Sequence, residues 1–350
     1  MIRFEQYEDR ERLKRHGLPQ SFKSPYQDFC IYTSSISPGV RLGMNVIKPP
    51  QAGPMLVQLH GWHMSMPKPA YRERPSDLPY LIVQVDMRGR AFSEGAADCN
   101  GYELIDIYDA IHFVRKEYAE WLDDSGHIYL EGGSGGGGNV LAAVAKFPDL
   151  FSAAAALYGI SDYASWYEQD ATGEFRDEMD VWVGCSPEAD LERYRARSGI
   201  ALAANVVTPL YMAHGDRDIR VPVEHSREYV REMRRLGRQS LIVYEELPGV
   251  GGRGHLTNMT EEQAVFMGAA VENHRREQGR KPVLPAEGGL IVGGYVYTKP
   301  FRLLLETVNG MASLTYDLKR RIVRASASAP YRYELIWEDG QVEKGVCEVR

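Results

Sequence analysis

The residues of this chain best suited to covalent chemistry gather around one serine. In His127-Ile-Tyr-Leu-Glu-Gly-Gly-Ser134-Gly-Gly-Gly-Gly-Asn139 an apolar stretch runs into glycines on both sides of Ser134, and an alanine-rich segment follows from Val140. Gly132, Ser134 and Gly136 satisfy G-x-S-x-G, the pattern of a nucleophile elbow in which a strand doubles back into a helix. A serine at such a turn is held in strained dihedrals, and flanking glycines remove the side chains that would clash. Its Oγ then stands clear of the sheet, beside helix N-terminal N–H groups that can hold an oxyanion.

The same glycines offer a rival pattern, because Gly133, Gly135 and Gly138 fit G-x-G-x-x-G. A dinucleotide turn follows the first strand and has an acidic residue about 20 positions on, at the end of the next strand. Here apolar strands predicted at 55–60 and 81–86 precede the glycines, and the next, 153–158, ends without an acid. A phosphate loop needs Lys-Ser/Thr where Asn139 stands. The serine elbow is the better fit.

A serine hydroxyl is a weak nucleophile at neutral pH, so it needs a base within hydrogen-bond reach and an acid to orient that base. A strand predicted at 209–213 runs into His214-Gly-Asp-Arg-Asp218, a polar loop at a strand's C-terminal end, where parallel sheets carry their sites. Asp216 and Asp218 are both candidate acids. The next strand, at 241–245, leads to Pro248-Gly-Val-Gly-Gly-Arg-Gly-His255, a flexible loop ending in histidine. His274 lies in a charged terminal helix predicted at 261–276 and is expected to be exposed.

The elements that must position these groups alternate. Residues 29–34 and 40–47 read as an antiparallel pair around a Ser-Pro-Gly turn, and the later apolar runs alternate with helices such as 102–118. This is the pattern of an α/β fold with a doubly wound, mostly parallel sheet. Fifty residues separate Tyr158 from Pro209, too many for a simple crossover, which predicts a helical cap at about 160–205. Tyr163, Trp166, Tyr167, Phe175, Trp182 and Tyr194 in it are expected mainly to pack cap onto body. Tyr163, Trp166 and Tyr167, with His63, are the candidates for a substrate pocket beside Ser134. The hydrolytic body is assigned to 1–280.

Past a Pro/Gly-rich stretch at 278–289 the pattern becomes strand-like, giving a β-module over 283–350 of about five strands, with Glu338-Asp-Gly340 as a hairpin turn. Such a unit is too small to stand alone. It is expected to dock on its own body or across a homodimer, with association favoured over a carbohydrate-contacting role.

The 41 Lys and Arg against 48 Asp and Glu give a formal charge of −7, which argues against nucleic acid and anionic membrane as partners. Arg227 to Arg238 is interleaved with Glu224, Glu228 and Glu232 at helical spacing, a solvated helix face. Cys30, Cys99, Cys185 and Cys347 are scattered, which suggests neither a zinc site nor a disulfide framework. The charged first dozen residues lack an apolar signal core, and no run approaches a membrane span, so a cytoplasmic location is expected.

Several segments together resemble a known family. Gly132-Gly-Ser-Gly-Gly-Gly137, His214-Gly-Asp-Arg-Asp218-x-x-Val-Pro222, Gly254-His255, His60-Gly61, Asp86-Met-Arg-Gly-Arg-Ala-Phe-Ser-Glu-Gly95 and Tyr194-Arg-Ala-Arg-Ser198 are similar, in order over roughly 25–278, to prolyl-oligopeptidase-type serine hydrolases and related acetyl-xylan-esterase-like enzymes of the α/β-hydrolase superfamily. The resemblance implies Ser134 as nucleophile, His255 as base and Asp218 as acid, with Asp216 stabilising the loop. It also implies an oxyanion hole from the N–H groups of Gly135 and Trp62, His60 bonding loop backbone, and Arg88 bracing its loop through a carboxylate. His63, His214 and His225 fall near the predicted site but lack the right place in chain order, and supporting roles or none are expected of them. The chain departs from the family at Ala91, where a glycine is usual, and at Gly135, often a large residue. The peptidase members carry a β-propeller before the catalytic domain, for which the first 25 residues are too few. The expectation is therefore an esterase acting on a small-molecule ester, carbohydrate or plant-derived, without metal or organic cofactor. A serine peptidase acting on short peptides is the alternative.

Overall fold

The computed structural model describes residues 20–170 and 173–350, so the charged opening of the chain lies outside the described residues. Short apolar runs form the sheet: β1 (Phe22–Lys23), β2 (Gln27–Thr33), β3 (Arg41–Ile47), β4 (Met55–Leu59), β5 (Leu81–Val85), β6 (Ile128–Gly133), β7 (Ala153–Leu157), β8 (Leu210–Asp218) and β9 (Ile242–Gly252). Their order is β1-β2-β3-β5-β4-β6-β7-β8-β9; β1 to β3 pair antiparallel, β3 meets β5 antiparallel, and β5 to β9 run parallel. Strands β4 and β5 are almost continuously buried, as parallel strands covered on both faces must be.

Helices α1 (Glu103–Glu117) and α2 (Gly135–Lys146) pack on one face of the sheet through Leu104, Ile107, Ile111, Val140 and Val144, against Val57, Val83 and Leu130. The cap contributes α3 (Tyr163–Gln169), α4 (Arg176–Trp182), α5 (Leu191–Arg195) and a 3-10 segment, Gly199–Asn205. Helix α6 (Glu224–Arg235) joins β8 to β9, and α7 (Glu261–Gln278) covers β7 and β8 on the opposite face through Val271 against Tyr211 and Ala213. Each crossover between the parallel strands carries helix except β4 to β5, where residues 60–80 are irregular. Without a helix there, Gln58 and Gln84 on the second face are only half-buried.

The C-terminal module has more strands than its pattern predicts: β10 (Glu287–Gly293), β11 (Tyr295–Tyr297), β12 (Phe301–Leu305), β13 (Met311–Asp317), β14 (Ile322–Ala327), β15 (Arg332–Trp337), β16 (Val342–Val346) and β17 (Glu348–Val349). The order is β16-β15-β12-β11-β10-β13-β14-β17. Only Cys347 separates β16 at one edge from β17 at the other. At about 3.5 Å of reach per residue, the sheet must curl until its edges nearly meet. Its interior holds Leu303, Leu314, Leu335 and Trp337.

The module docks on its own body. Tyr295 and Tyr297 enter the main core, ring to ring with Phe147 at 6.1 and 5.7 Å, and Tyr295 OH donates to Gly101 O at 2.8 Å. The Asn205 side chain pairs with both backbone groups of Ile291, as a neighbouring strand would. Buried Lys146 donates to Gly293 O, and burial pushes its ammonium down to about 7. Among the described residues no helix is long and apolar enough to cross a membrane.

Candidate active site

Ser134 lies between β6 and α2 with φ 56° and ψ −123°, the strained turn that its glycine-rich setting predicts. Such a conformation costs about 1–3 kcal/mol and persists only where its surroundings enforce it. Ser134 N donates to Leu157 O and Ser134 O accepts from Gly138 N, both at 3.0 Å. A Cβ on Gly132 would lie 2.6 Å from Gly136 C, so strand and helix touch backbone to backbone. A Cβ on Gly135 would lie 2.5 Å from Trp62 N, which explains why this chain has no large side chain after the serine. The same contact sets the two residues expected to form the oxyanion hole side by side.

The loop carrying Trp62 is held from several directions. His60 Nε2 accepts from Met87 N at 3.1 Å, which leaves the ring proton on Nδ1 to donate to Gly61 O at 2.9 Å. Burial, then the nearby Arg90 charge, pushes this histidine down to about 3 and keeps it neutral. Asp86 accepts from the N–H groups of Met66 and Phe92, and burial lifts its carboxyl to about 7. From the cap, buried Glu178 accepts from Trp62 Nε1 at 2.5 Å and pairs with His63 Nε2 at 2.7 Å. Arg88 grips Asp106 through Nε at 2.6 Å and Nη2 at 2.8 Å, as the resemblance implies.

At the end of β8 the two aspartates separate by role. Asp216 accepts from Gly249 N at 2.7 Å and ties down the following loop. Asp218 faces His255, with Oδ2 2.7 Å from Nδ1, while its Oδ1 accepts from the N–H groups of Arg220 and Val221 at 2.9 and 3.1 Å. Burial alone would raise the Asp218 carboxyl, but hydrogen bonds from His214 and His255 outweigh it and hold the group well below the usual carboxylate range. His255 takes φ 56°, and its ring stacks on Tyr158 with centroids 5.0 Å apart. His214 bonds Ser226 and Val221 O, and buried His225 lies against Ser161.

Ser134 and His255 line one pocket of about 870 Å³, with Trp62, His63, Tyr158, Phe175 and Arg220 around them. Among the four expected pocket residues, His63 is there and three are elsewhere. Tyr163 and Trp166 are buried and, with Trp182, surround the Trp62 ring at 6.0, 5.0 and 4.6 Å; Tyr167 packs edge-on against Tyr194. Tyr163 and Trp166 thus pack on the loop that carries Trp62, and none of the three lines that pocket. The cap aromatic that does reach the pocket is Phe175, stacked on His63 at 5.3 Å. His274 is buried against Tyr211, contrary to its expected exposure, because α7 turns that face onto the sheet.

Residues 75–267 match the model of the prolyl oligopeptidase family. The chain belongs to that family. This prolyl oligopeptidase family member is a serine hydrolase of the α/β-hydrolase superfamily, and its relatives include peptidases and esterases. An acylamino-acid-releasing enzyme of Arabidopsis thaliana is 27% identical over 236 residues, covering 63% of this chain and 29% of that relative. Esterase LipQ of Mycobacterium tuberculosis is 26% identical over 269 residues, covering 69% of this chain and 62% of its own length. The chain thus spans less than two thirds of either. The Pyrococcus horikoshii acylaminoacyl peptidase superposes with a TM-score of 0.59 at 21% identity, over 76% of this chain and 43% of that one. A Pyrococcus furiosus esterase gives 0.51 at 14%, over 75% and 98%, a likeness of fold.

Proposed function

We propose that the protein hydrolyses a carboxylic ester through an acyl-enzyme on Ser134. Ser134 Oγ attacks the carbonyl carbon while His255 Nε2 takes its proton, and the resulting oxyanion lies against the N–H groups of Gly135 and Trp62. The tetrahedral intermediate collapses, the C–O bond to the alcohol breaks, and His255 returns the proton to the leaving alkoxide. Water then attacks the acyl group with His255 again as base, which releases the acid and restores Ser134. Asp218 holds the Nδ1–H and stabilises the imidazolium. The observation that carries this reading is the 2.7 Å contact from His255 Nδ1 to Asp218 Oδ2, in a pocket shared with strained Ser134.

The preference for an ester rests on the charges in that pocket. Its charged lining residues are Glu131, Glu272, Arg220 and Arg275, two of each sign. Arg275 pairs with both Glu131 and Glu272, and Arg220 pairs with Glu174. A peptide's terminal carboxylate finds no unpaired cation among them, whereas a neutral ester needs no counter-charge. A carbohydrate or plant-derived ester, which carries no charge, fits both this lining and the sequence resemblance. The second reading, cleavage of short peptides, is favoured by the acylamino-acid-releasing relatives. A panel of short acyl esters, acetylated sugars and aminoacyl-arylamides decides between them: higher kcat/KM on the esters supports the proposal, and a clear preference for arylamides overturns it.

A further inference from the structure

Where residues 60–80 leave the second sheet face without a helix, three adjacent strands carry a polar residue at one register. Gln84 of β5 lies opposite Gln58 of β4, and Gln58 opposite Glu131 of β6. Each is half-buried, and all three line the same pocket as Ser134. Two residues earlier on the same face, Ile82, Leu56 and Tyr129 form an apolar cluster. The row therefore marks where the floor of the pocket turns from apolar to polar, next to the loops that carry the site.

The row is wired in one direction. Glu131, paired with Arg275, takes a hydrogen bond from Gln58 Nε2 at 2.7 Å, so Gln58 Oε1 is left to accept from Gln84 Nε2 at 3.0 Å. Gln84 Oε1 in turn accepts from Asn45 Nδ2 at 3.2 Å, and Asn45 Nδ2 also donates to Pro67 O at 2.8 Å, which fixes that amide from the other end. Each of these contacts uses one hydrogen of an amide and one lone pair of an oxygen. A second N–H and a second lone pair remain at every glutamine, alternating along strands about 4.8 Å apart. A cation would use only the acceptors, and an anion would use only the donors while facing Glu131. A hydroxyl donates and accepts at once, and it adds no charge beside the Glu131–Arg275 pair.

We propose that Gln84, Gln58 and Glu131 form a subsite for an uncharged, hydroxyl-bearing part of the substrate. It rests on the ester reading and deepens it, by naming the residues that would select a polyol-like group over a hydrocarbon of the same size. Sites built to hydrogen-bond a hydroxyl discriminate strongly against analogues that lack it, because their polar groups are then desolvated without partners.

The test compares methyl 6-O-acetylglucoside with cyclohexylmethyl acetate, which share an acyl group and a six-membered ring but differ in hydroxyls. The wild-type chain favours the sugar ester in kcat/KM by about tenfold or more, and Gln58→Leu lowers that ratio by about tenfold. If Gln58→Leu folds poorly, the near-isosteric Gln84→Met carries the same expectation. Hydrolysis of both esters without preference, or a ratio unchanged by substitution, overturns the subsite and leaves the ester reading standing. Cleavage of aminoacyl-arylamides with neither ester hydrolysed overturns that reading, and the subsite with it.

Discussion

Glu178 in the cap accepts a hydrogen bond from the Trp62 indole at 2.5 Å, so the loop expected to bind the oxyanion is fastened to the cap as well as to the sheet. The same carboxylate pairs with His63 Nε2. Glu178 is thereby a positioning residue that acts through Trp62. Glu178→Gln keeps one acceptor and is expected to lower kcat about tenfold with KM little changed; Glu178→Ala should cost about 10²-fold. Steady-state kinetics on an activated acetate ester measures both, and a loss confined to KM would assign Glu178 to substrate binding instead.

The aspartates at the end of β8 should separate clearly in kinetics. Asp218→Asn is expected to reduce kcat by about 10³–10⁴-fold, since the amide favours the wrong imidazole tautomer. Asp216→Asn keeps an oxygen that can accept from Gly249 N, and should stay within about tenfold of wild type. The reverse ranking would move the acid to Asp216.

Gly135→Ala puts a methyl group where Trp62 N leaves no room. The loop must shift, and loss of one oxyanion donor costs about 10²–10³ in kcat. Full activity in this variant would show that the Trp62 N–H takes no part.

His60 gives stability a pH dependence of known sign. Its folded-state value is depressed to about 3, whereas an unfolded histidine titrates near 6.5. Between these values the unfolded chain binds a proton that the native chain refuses, so stability falls as pH drops through the window, by up to about 1.4 kcal/mol per pH unit. The Tm difference between wild type and His60→Gln should accordingly shrink from pH 7.5 to pH 5. A difference that does not change with pH would contradict a buried neutral ring.

Removing residues 283–350 would expose Tyr108 and Phe147, which pack on Tyr297 and Tyr295. The truncated chain is expected to lose solubility and thermal stability. Sedimentation of the full chain and of a Val342→Lys, Val346→Lys variant tests self-association through β16, where both valines are about half exposed. A monomer in both cases would confine the module to its role on the body.

The serine, its histidine and its aspartate were legible because each lies in a short, glycine-punctuated segment whose local chain path is nearly dictated by sequence. Tyr163, Trp166 and Tyr167 were misplaced because an aromatic residue in a cap reads the same whether it faces a cavity or Trp62; only tertiary packing separates the two. Glu178 was missed for a related reason, being one acid among many in that segment. Gln58 and Gln84 each look like an isolated polar interruption of an apolar strand, and their alignment exists only once strand order and register are known. In the module, β10 begins Glu287-Gly-Gly and β16 reads Val-Glu-Lys-Gly-Val, so pairing with neighbours, not alternation, makes them strands.

The account stands most directly on Ser134 as the group that becomes acylated. Wild-type protein treated with a fluorophosphonate and digested should carry the adduct on the peptide containing Ser134, as read by mass spectrometry, and Ser134→Ala should carry none. An adduct on another residue, or equal labelling of Ser134→Ala, would contradict it.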